Sequence, residues 1–150
     1  MRAINHAMTG ALIGLVSGQP VVAVPAALAS HFVMDAIPHH GSGQPDGETL
    51  RSAWFAWLLV IDTLLCVLLV VILGLKQPQH WPLAAVCAFV AASPDFLSAN
   101  RYFKTLRHQS VRLSRPVQWT RRIQWFERPI GALVEAAWFF AAAVLLATYL

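Results

Sequence analysis

The chain has 150 residues, of which 57% are hydrophobic and only 12% are charged, with a formal net charge of +4. A water-soluble domain normally carries roughly 25% charged residues. This composition excludes an ordinary soluble enzyme and predicts one integral membrane domain over residues 1–150. The two cysteines lie inside apolar runs, which argues against a disulfide framework.

Five apolar stretches predict an all-α, polytopic membrane bundle of about five helices, the first of them short. Their ranges are 3–18, 21–37, 53–75, 81–97 and 130–149. The third stretch is the clearest span, because it exceeds the roughly 20 residues that a bilayer requires and begins with two tryptophans. Between the second and third stretches, the polar and glycine-rich sequence 38–52 predicts an irregular loop.

The first helix carries a glycine at every fourth position, namely Gly10, Gly14 and Gly18. Small residues at this spacing let two helices approach closely in a bilayer. The pattern predicts a packing face that serves either within one chain or between two copies, so a homo-oligomer is one of the two assemblies it allows.

The connection before the last helix is strongly basic, since eight of the eleven Lys and Arg residues lie within 101–128. Positively charged loops stay in the cytoplasm, which predicts a cytoplasmic N-terminus and an outer C-terminus in a bacterial-type inner membrane. Bulky apolar residues are mixed with the basic ones, as in an amphipathic segment at the lipid headgroups. Membrane lipids are therefore the expected partner, and nucleic acid is the less favoured interpretation.

The second helix ends in the sequence SHFVMDAIPHH, which concentrates ionisable side chains. Its four-residue spacing places His31, Asp35 and His39 on one face wherever the chain is helical. Pro38 predicts that the helix ends near Ile37, with the last histidines at or beyond its end. A histidine and a carboxylate one turn apart can chelate a metal ion. The alternative is that these side chains only cap a helix end in water.

Six ionisable groups fall in the cytoplasmic half of the predicted helices, namely His6, His31, Asp35, Asp62, Asp95 and Glu135. A carboxylate at mid-membrane costs about 2.5–3.5 kcal/mol, so it needs a partner, a metal ion or water. Asp62 has no neutralising residue near it in the sequence and is the hardest to explain structurally. Asp95 could also cap a helix end, and Glu135 could simply favour a helix N-terminus.

Three short motifs resemble a bacterial protein family: NHAMTG at 5–10, SHFVMDAIPH at 30–39 and SPD at 93–95. They are similar to the LexA-binding, inner-membrane-associated hydrolases, with a looser likeness to zinc-dependent phospholipase C proteins. The resemblance implies a metal-dependent hydrolase. The family's Pro-Asp turn often continues with a further Asp and His, whereas FLS follows here at 96–98, which puts a two-metal site in doubt.

The favoured interpretation is a hydrolase that uses a divalent metal ion, Zn²⁺ above all, on a lipid or lipid-linked phosphoester at the cytoplasmic leaflet. Such an ion lowers the pKa of a bound water toward ~7 and polarises the phosphoryl oxygen. The expected metal ligands are His6, His31, Asp35 and Asp95. The expected catalytic residues are His39, His40 and Asp62. Either histidine would act as a general acid or base, and the spacing does not rank one above the other. The substrate phosphate would contact Arg101 and Lys104.

Two other functions would use the same features. A cation or proton transporter would use the intramembrane aspartates and histidines as its path, although all of them lie in one half of the helices. A non-enzymatic membrane scaffold would bind its partner through the basic segment 101–128, and its buried polar groups would only fix the packing of the helices.

Overall fold

The computed structural model describes residues 1–40, 47–109, 115, 118 and 130–150, without the side chains of 97, 98 and 101. All regular elements in these ranges are helical, which confirms the predicted all-α class. The α-helices are α1 Ala3–Ser17, α2 Pro20–Ala36, α3 Gly47–Arg51, α4 Ala53–Lys76, α5 Trp81–Ala92, α6 Ala99–Leu106 and α7 Gly131–Ala147. A 3₁₀ helix, Ser93–Ser98, joins α5 to α6.

The sequence and the structure differ at two places in these elements. The predicted irregular loop 38–52 contains the short helix α3. The predicted fourth helix, 81–97, is α-helical only as far as Ala92 and then tightens into the 3₁₀ helix. The reason is Pro94, which has no N–H to donate to the carbonyl four residues earlier. That carbonyl, of Val90, instead accepts from the backbone N–H and the hydroxyl of Ser93.

The end of α2 lies where the proline predicts it. The helix stops at Ala36, and Ile37 is extended with φ −80° and ψ 151°. The ring of Pro38 disfavours a helical conformation in the preceding residue, which explains this stop.

Helix α1 is the centre of the fold, because it contacts α2, α4, α5 and α7. Its glycine face packs within the chain, against α5. A Cβ added at Gly14 would lie 2.6 Å from the Cα of Ala84, and one added at Gly10 would overlap the carbonyl oxygen of Cys87. Only glycine allows the two helix backbones to lie this close. The close packing of α1 on α5 fixes the relative positions of the side chains at their ends.

Helix α4 has an unusually apolar exterior. It is 24 residues long, and by length and composition it is the one described helix able to cross a membrane; the other apolar helices are shorter. Trp54 and Trp57 near its start are 71% and 63% exposed, and exposed Leu, Val and Ile side chains follow along its length. Soluble proteins rarely expose a continuous apolar surface of this extent.

Candidate metal centre

Four ionisable side chains from three parts of the chain meet at one end of the bundle. They are His6 on α1, His31 and Asp35 on α2, and Asp95 in the 3₁₀ helix after α5. Helices α1 and α2 are joined by a connection of only two residues, so they form an antiparallel hairpin, and the start of α1 lies beside the end of α2. These four residues are called the metal cluster below, and they are the four ligands predicted from the sequence.

The donor atoms of the metal cluster lie at the separations expected of ligands around one ion. His6 Nε2 is 3.2 Å from Asp35 Oδ1, and His31 Nε2 is 3.3 Å from Asp35 Oδ2. The distance from His31 Nε2 to Asp95 Oδ1 is 3.9 Å. Ligands bonded at 2.0–2.2 Å in a tetrahedral zinc site are roughly 3.3–3.6 Å apart. His6, His31 and Asp95 each offer a donor atom within 4.8 Å of the others, so small side-chain movements would bring these three onto one ion, while Asp35 lies against both imidazoles.

A hydrogen bond to the backbone determines which nitrogen of His31 faces the carboxylates. Its Nδ1 lies 2.8 Å from the carbonyl oxygen of Ala91. A carbonyl only accepts, so Nδ1 carries the proton, and in the neutral ring Nε2 has a free lone pair. Nε2 faces Asp35 and Asp95, and there it can donate a proton to these carboxylates or offer its lone pair to a metal ion. Metal-binding histidines are held in this way, with the non-ligating nitrogen donating to a carbonyl or carboxylate.

His6 is fully buried, and its ring stacks on that of His31 with centroids 4.1 Å apart. Among the described residues Nδ1 of His6 has no hydrogen-bond partner, and Nε2 has only its contact with Asp35, whose angles are not those of a hydrogen bond. A buried polar group without a partner costs about 1–3 kcal/mol. Protonating both rings would place two positive charges in direct contact. A single cation between the imidazole lone pairs and the carboxylates satisfies both rings and both acids.

The metal cluster is closed on most sides. The side chains of His6, His31 and Asp35 are at most 2% exposed, whereas the side chain of Asp95 is 34% exposed. Asp35 also carries a positive neighbour, since the amino group of Met1 lies 2.8 Å from its Oδ1. Asp95 is therefore the most accessible of the four side chains.

The structure gives Asp62 hydrogen-bond partners that the sequence does not reveal. Its two carboxylate oxygens accept hydrogen bonds from the backbone N–H groups of Ala3 and Ile4, at 2.8 and 3.1 Å. These N–H groups belong to the first turn of α1, whose partial positive charge favours a carboxylate. The contacts described are those of a group that positions α1 and thereby His6, and the catalytic role of Asp62 stays a prediction.

The two histidines after α2 lie beyond the end of the helix. Because α2 ends at Ala36, the four-residue spacing does not carry His39 onto the helical face of Asp35. His39 is buried, with its Nδ1 2.9 Å from the carbonyl oxygen of Ile37. The backbone N–H of His40 donates to Glu135 Oε1 at 3.2 Å, on α7. General acid or base roles for the two histidines stay predictions.

The predicted phosphate contacts lie in α6, directly after the 3₁₀ helix. Lys104 is half-buried in this helix, and the side chain of Arg101 lies outside the described part of the chain. Most of the predicted basic segment beyond α6 also lies outside it.

Sequence reasoning missed the backbone carbonyl of Ala91 and the side chain of Asn5, which is buried next to His6 in the chain and donates to the carbonyl of Glu135 at 3.2 Å. A carbonyl partner leaves no mark in the sequence, and an asparagine beside a candidate ligand is not by itself informative. Comparison of the chain with protein-family models, with curated proteins and with solved structures returns no match. The resemblance to the hydrolase family therefore stays an expectation from three motifs.

Proposed function

We propose that the protein is a metal-dependent membrane hydrolase with one divalent ion, zinc by preference, bound by the metal cluster. One observation supports this most strongly. With Nδ1 of His31 committed to the carbonyl of Ala91, the lone pair of Nε2 faces two carboxylates beside a second buried imidazole. A proton on Nε2 or a metal ion can join these groups, and imidazole with carboxylate is a common zinc donor set, which supports the metal ion.

The membrane location is supported by the exterior of the helices. Helix α4 is long enough to cross a bilayer and exposes apolar side chains along its length. The shorter helices also expose large apolar residues, for example Val21 on α2, Phe89 on α5 and Phe140 on α7. Lipid chains are the solvent that suits such surfaces. In this proposal the shorter helices also lie in the bilayer, and the positive charge of the basic segment favours a metal cluster near the cytoplasmic leaflet of an inner membrane.

The proposed reaction is hydrolysis of a lipid or lipid-linked phosphoester. A bound ion would activate water and polarise the phosphoryl oxygen. Asp95 is the partly exposed member of the metal cluster, so the substrate would enter on its side. Lys104 lies on α6, the helix that follows Asp95 in the chain, and its charge suits a phosphate group. The positive charge of this lysine is the reason to favour a phosphoester, which is negatively charged, over an uncharged ester.

The transporter alternative has less support. A transport path would have to continue from the metal cluster through the rest of the bundle. Next to the cluster, the contact between α1 and α5 is made by Gly10, Gly14 and the small residues of α5, which leave no room for even one added Cβ. Scaffolding through the basic segment would not explain why two imidazoles and two carboxylates meet.

The experiment that tests the proposal is elemental analysis of detergent-purified protein after incubation with zinc and removal of excess metal. We expect about one equivalent in the wild type and almost none in His31→Ala or Asp35→Asn, because each loses a ligand. The matched control is His108→Asn, which removes an exposed histidine at φ 53°, a backbone conformation that asparagine tolerates.

Activity is then measured on the same samples with mixed phospholipid vesicles, by release of water-soluble phosphate compounds. Hydrolysis should require zinc and disappear in both ligand variants. A folded wild type that takes up no zinc would contradict the metal centre. A zinc-loaded wild type that cleaves no phosphoester would overturn the proposed reaction.

A further inference from the structure

A second polar site lies across α1 from the metal cluster. It is a cavity of about 410 Å³ between α1, α4 and α7. Small-molecule sites usually have volumes of roughly 300–1,000 Å³. Its polar end is formed by Arg2, Asn5, His40 and Glu135, and two aromatic rings, Phe139 and Phe140, lie on its apolar wall. The cavity therefore has one polar end and one apolar wall, as a ligand with a polar head and an apolar chain requires.

The charged groups at the polar end are close but are not joined by a hydrogen bond. The side chain of Glu135 is 7% exposed, and its Oε1 accepts the backbone N–H of His40. Its Oε2 lies 3.6 Å from Arg2 Nε, which exceeds a normal hydrogen-bond length. Arg2 is 40% exposed. The carboxylate can thus accept from a further donor, and the guanidinium can donate to a further acceptor.

The amide of Asn5 supplies a second acceptor at this end of the cavity. Its Nδ2 donates to the backbone carbonyl of Glu135 at 3.2 Å, which sets the orientation of the amide. Its Oδ1 is buried and has no hydrogen-bond partner among the residues that the structure describes. Glu135 Oε2 and Asn5 Oδ1 are thus two acceptors on residues that line the same cavity as Arg2.

A primary ammonium fits these acceptors best, because it is positively charged and offers several N–H donors. Arg2 suits a phosphate at the other end of a short linker. We propose that the cavity binds the headgroup of a phospholipid with a primary amine, of the phosphatidylethanolamine class, with an acyl chain along Phe139 and Phe140. This site does not depend on the metal centre.

The proposal distinguishes phosphatidylethanolamine from the other common headgroups. Phosphatidylcholine has the same charges, but its quaternary ammonium has no N–H to donate. Phosphatidylglycerol has the phosphate and no positive charge. If Glu135 and Asn5 select the lipid, the primary amine must be the feature that matters.

The test uses the full chain, purified in detergent and exposed to micelles with equal amounts of the three lipids, all with the same acyl chains. Native mass spectrometry then counts the lipid retained by each protein. We expect the wild type to retain phosphatidylethanolamine about tenfold more than phosphatidylcholine, since hydrogen bonds to charged groups are the stronger ones.

Glu135→Gln should remove this preference while keeping an acceptor for the N–H of His40. The matched control, Glu48→Gln, removes the same charge from an exposed residue of α3 and should leave the preference unchanged. If Glu135→Gln does not fold, Ala136→Phe fills the cavity wall without altering a charge and should also abolish retention. Soluble glycerophosphoethanolamine is added as a competitor, and we expect it to compete poorly because it lacks the acyl chains.

Equal retention of the three lipids by the wild type, or an unchanged preference in both cavity variants, would overturn the proposal. Effective competition by the soluble headgroup would overturn the lipid as the ligand. Zinc is measured in the same samples and should be unaffected by Glu135→Gln. A lipid preference without zinc would contradict only the metal centre, and zinc without a lipid preference would contradict only this site.

Discussion

The described carboxylates within the long helices and the adjoining 3₁₀ helix have two different kinds of partner. Asp62 and Glu135 accept hydrogen bonds from backbone N–H groups, those of α1 in one case and of His40 in the other. Asp35 and Asp95 face imidazole nitrogens instead. All four lie near the same end of the bundle, and from the sequence all four could belong to one site.

This difference matters because the two kinds of partner have different chemistry. A backbone N–H is a fixed donor that is always present and stabilises a carboxylate without a proton or a metal ion. Each nitrogen of a neutral imidazole has either an N–H or a lone pair, so its contact with a carboxylate depends on whether a proton or a metal ion lies between them. A carboxylate among apolar helices thus indicates a metal site only when its partners are of the second kind.

The largest expected effect comes from Asp35→Asn, which keeps the shape of the side chain and removes its charge. Zinc affinity should fall by more than about 100-fold, since even residues that only support a ligand contribute 10–100-fold. Asp62→Asn is the matched control and should retain zinc within a few-fold. Competition with a chromogenic chelator measures both. Equal losses in the two variants would show that all these carboxylates form one site.

Acidification should release the metal from the wild type. Both imidazoles must be unprotonated to bind, so affinity is full at high pH and is lost as the pH falls. Between about pH 7.5 and about pH 5.5 we expect about a tenfold loss, because protonation of one ring opposes protonation of the other. Helicity, followed by circular dichroism, should persist, because Asp62 and Glu135 are held by backbone N–H groups. Zinc retention that is independent of pH would argue against two histidine ligands.

Gly131→Ala should disturb α7, the helix that carries Glu135, and should leave the metal cluster intact. A Cβ at Gly131 would overlap the backbone of His39, so α7 must move away. We expect a loss of about 1–3 kcal/mol in stability, as for other overpacked sites. Gly74→Ala is the control, because its nearest contact is Trp81 at 3.8 Å. Thermal unfolding in detergent compares them, and an unchanged Gly131→Ala midpoint would contradict the close approach of α7.

Asp62→Ala should have the smallest effect, a loss of about 0.5–2 kcal/mol typical of a removed helix cap. Ser52→Ala removes a second cap, the hydroxyl that accepts the N–H of Phe55 at 3.1 Å, and should cost a similar amount. Both variants should bind zinc. If Asp62→Ala folds and loses zinc while Ser52→Ala keeps it, Asp62 takes part in the site as the sequence suggested.

The sequence alone determined the features that depend on near neighbours in the chain. Helical periodicity and apolar runs indicated an all-α protein, and Pro38 ended α2 because a proline restricts the residue before it. The spacing of His31 and Asp35 placed them on one face, since four residues make about one turn of helix.

Only the tertiary structure decided which groups share a site. Asp62 meets the N–H of Ala3, 59 residues away, and His31 meets the carbonyl of Ala91, 60 residues away. These contacts involve backbone groups that every residue possesses, so side-chain identity carries no signal for them. They follow from how closely α1 packs on α5 and from where α5 tightens at Pro94. The packing distance between the helices therefore decides which acids face imidazoles, namely Asp35 and Asp95, and which accept from backbone N–H groups, namely Asp62 and Glu135.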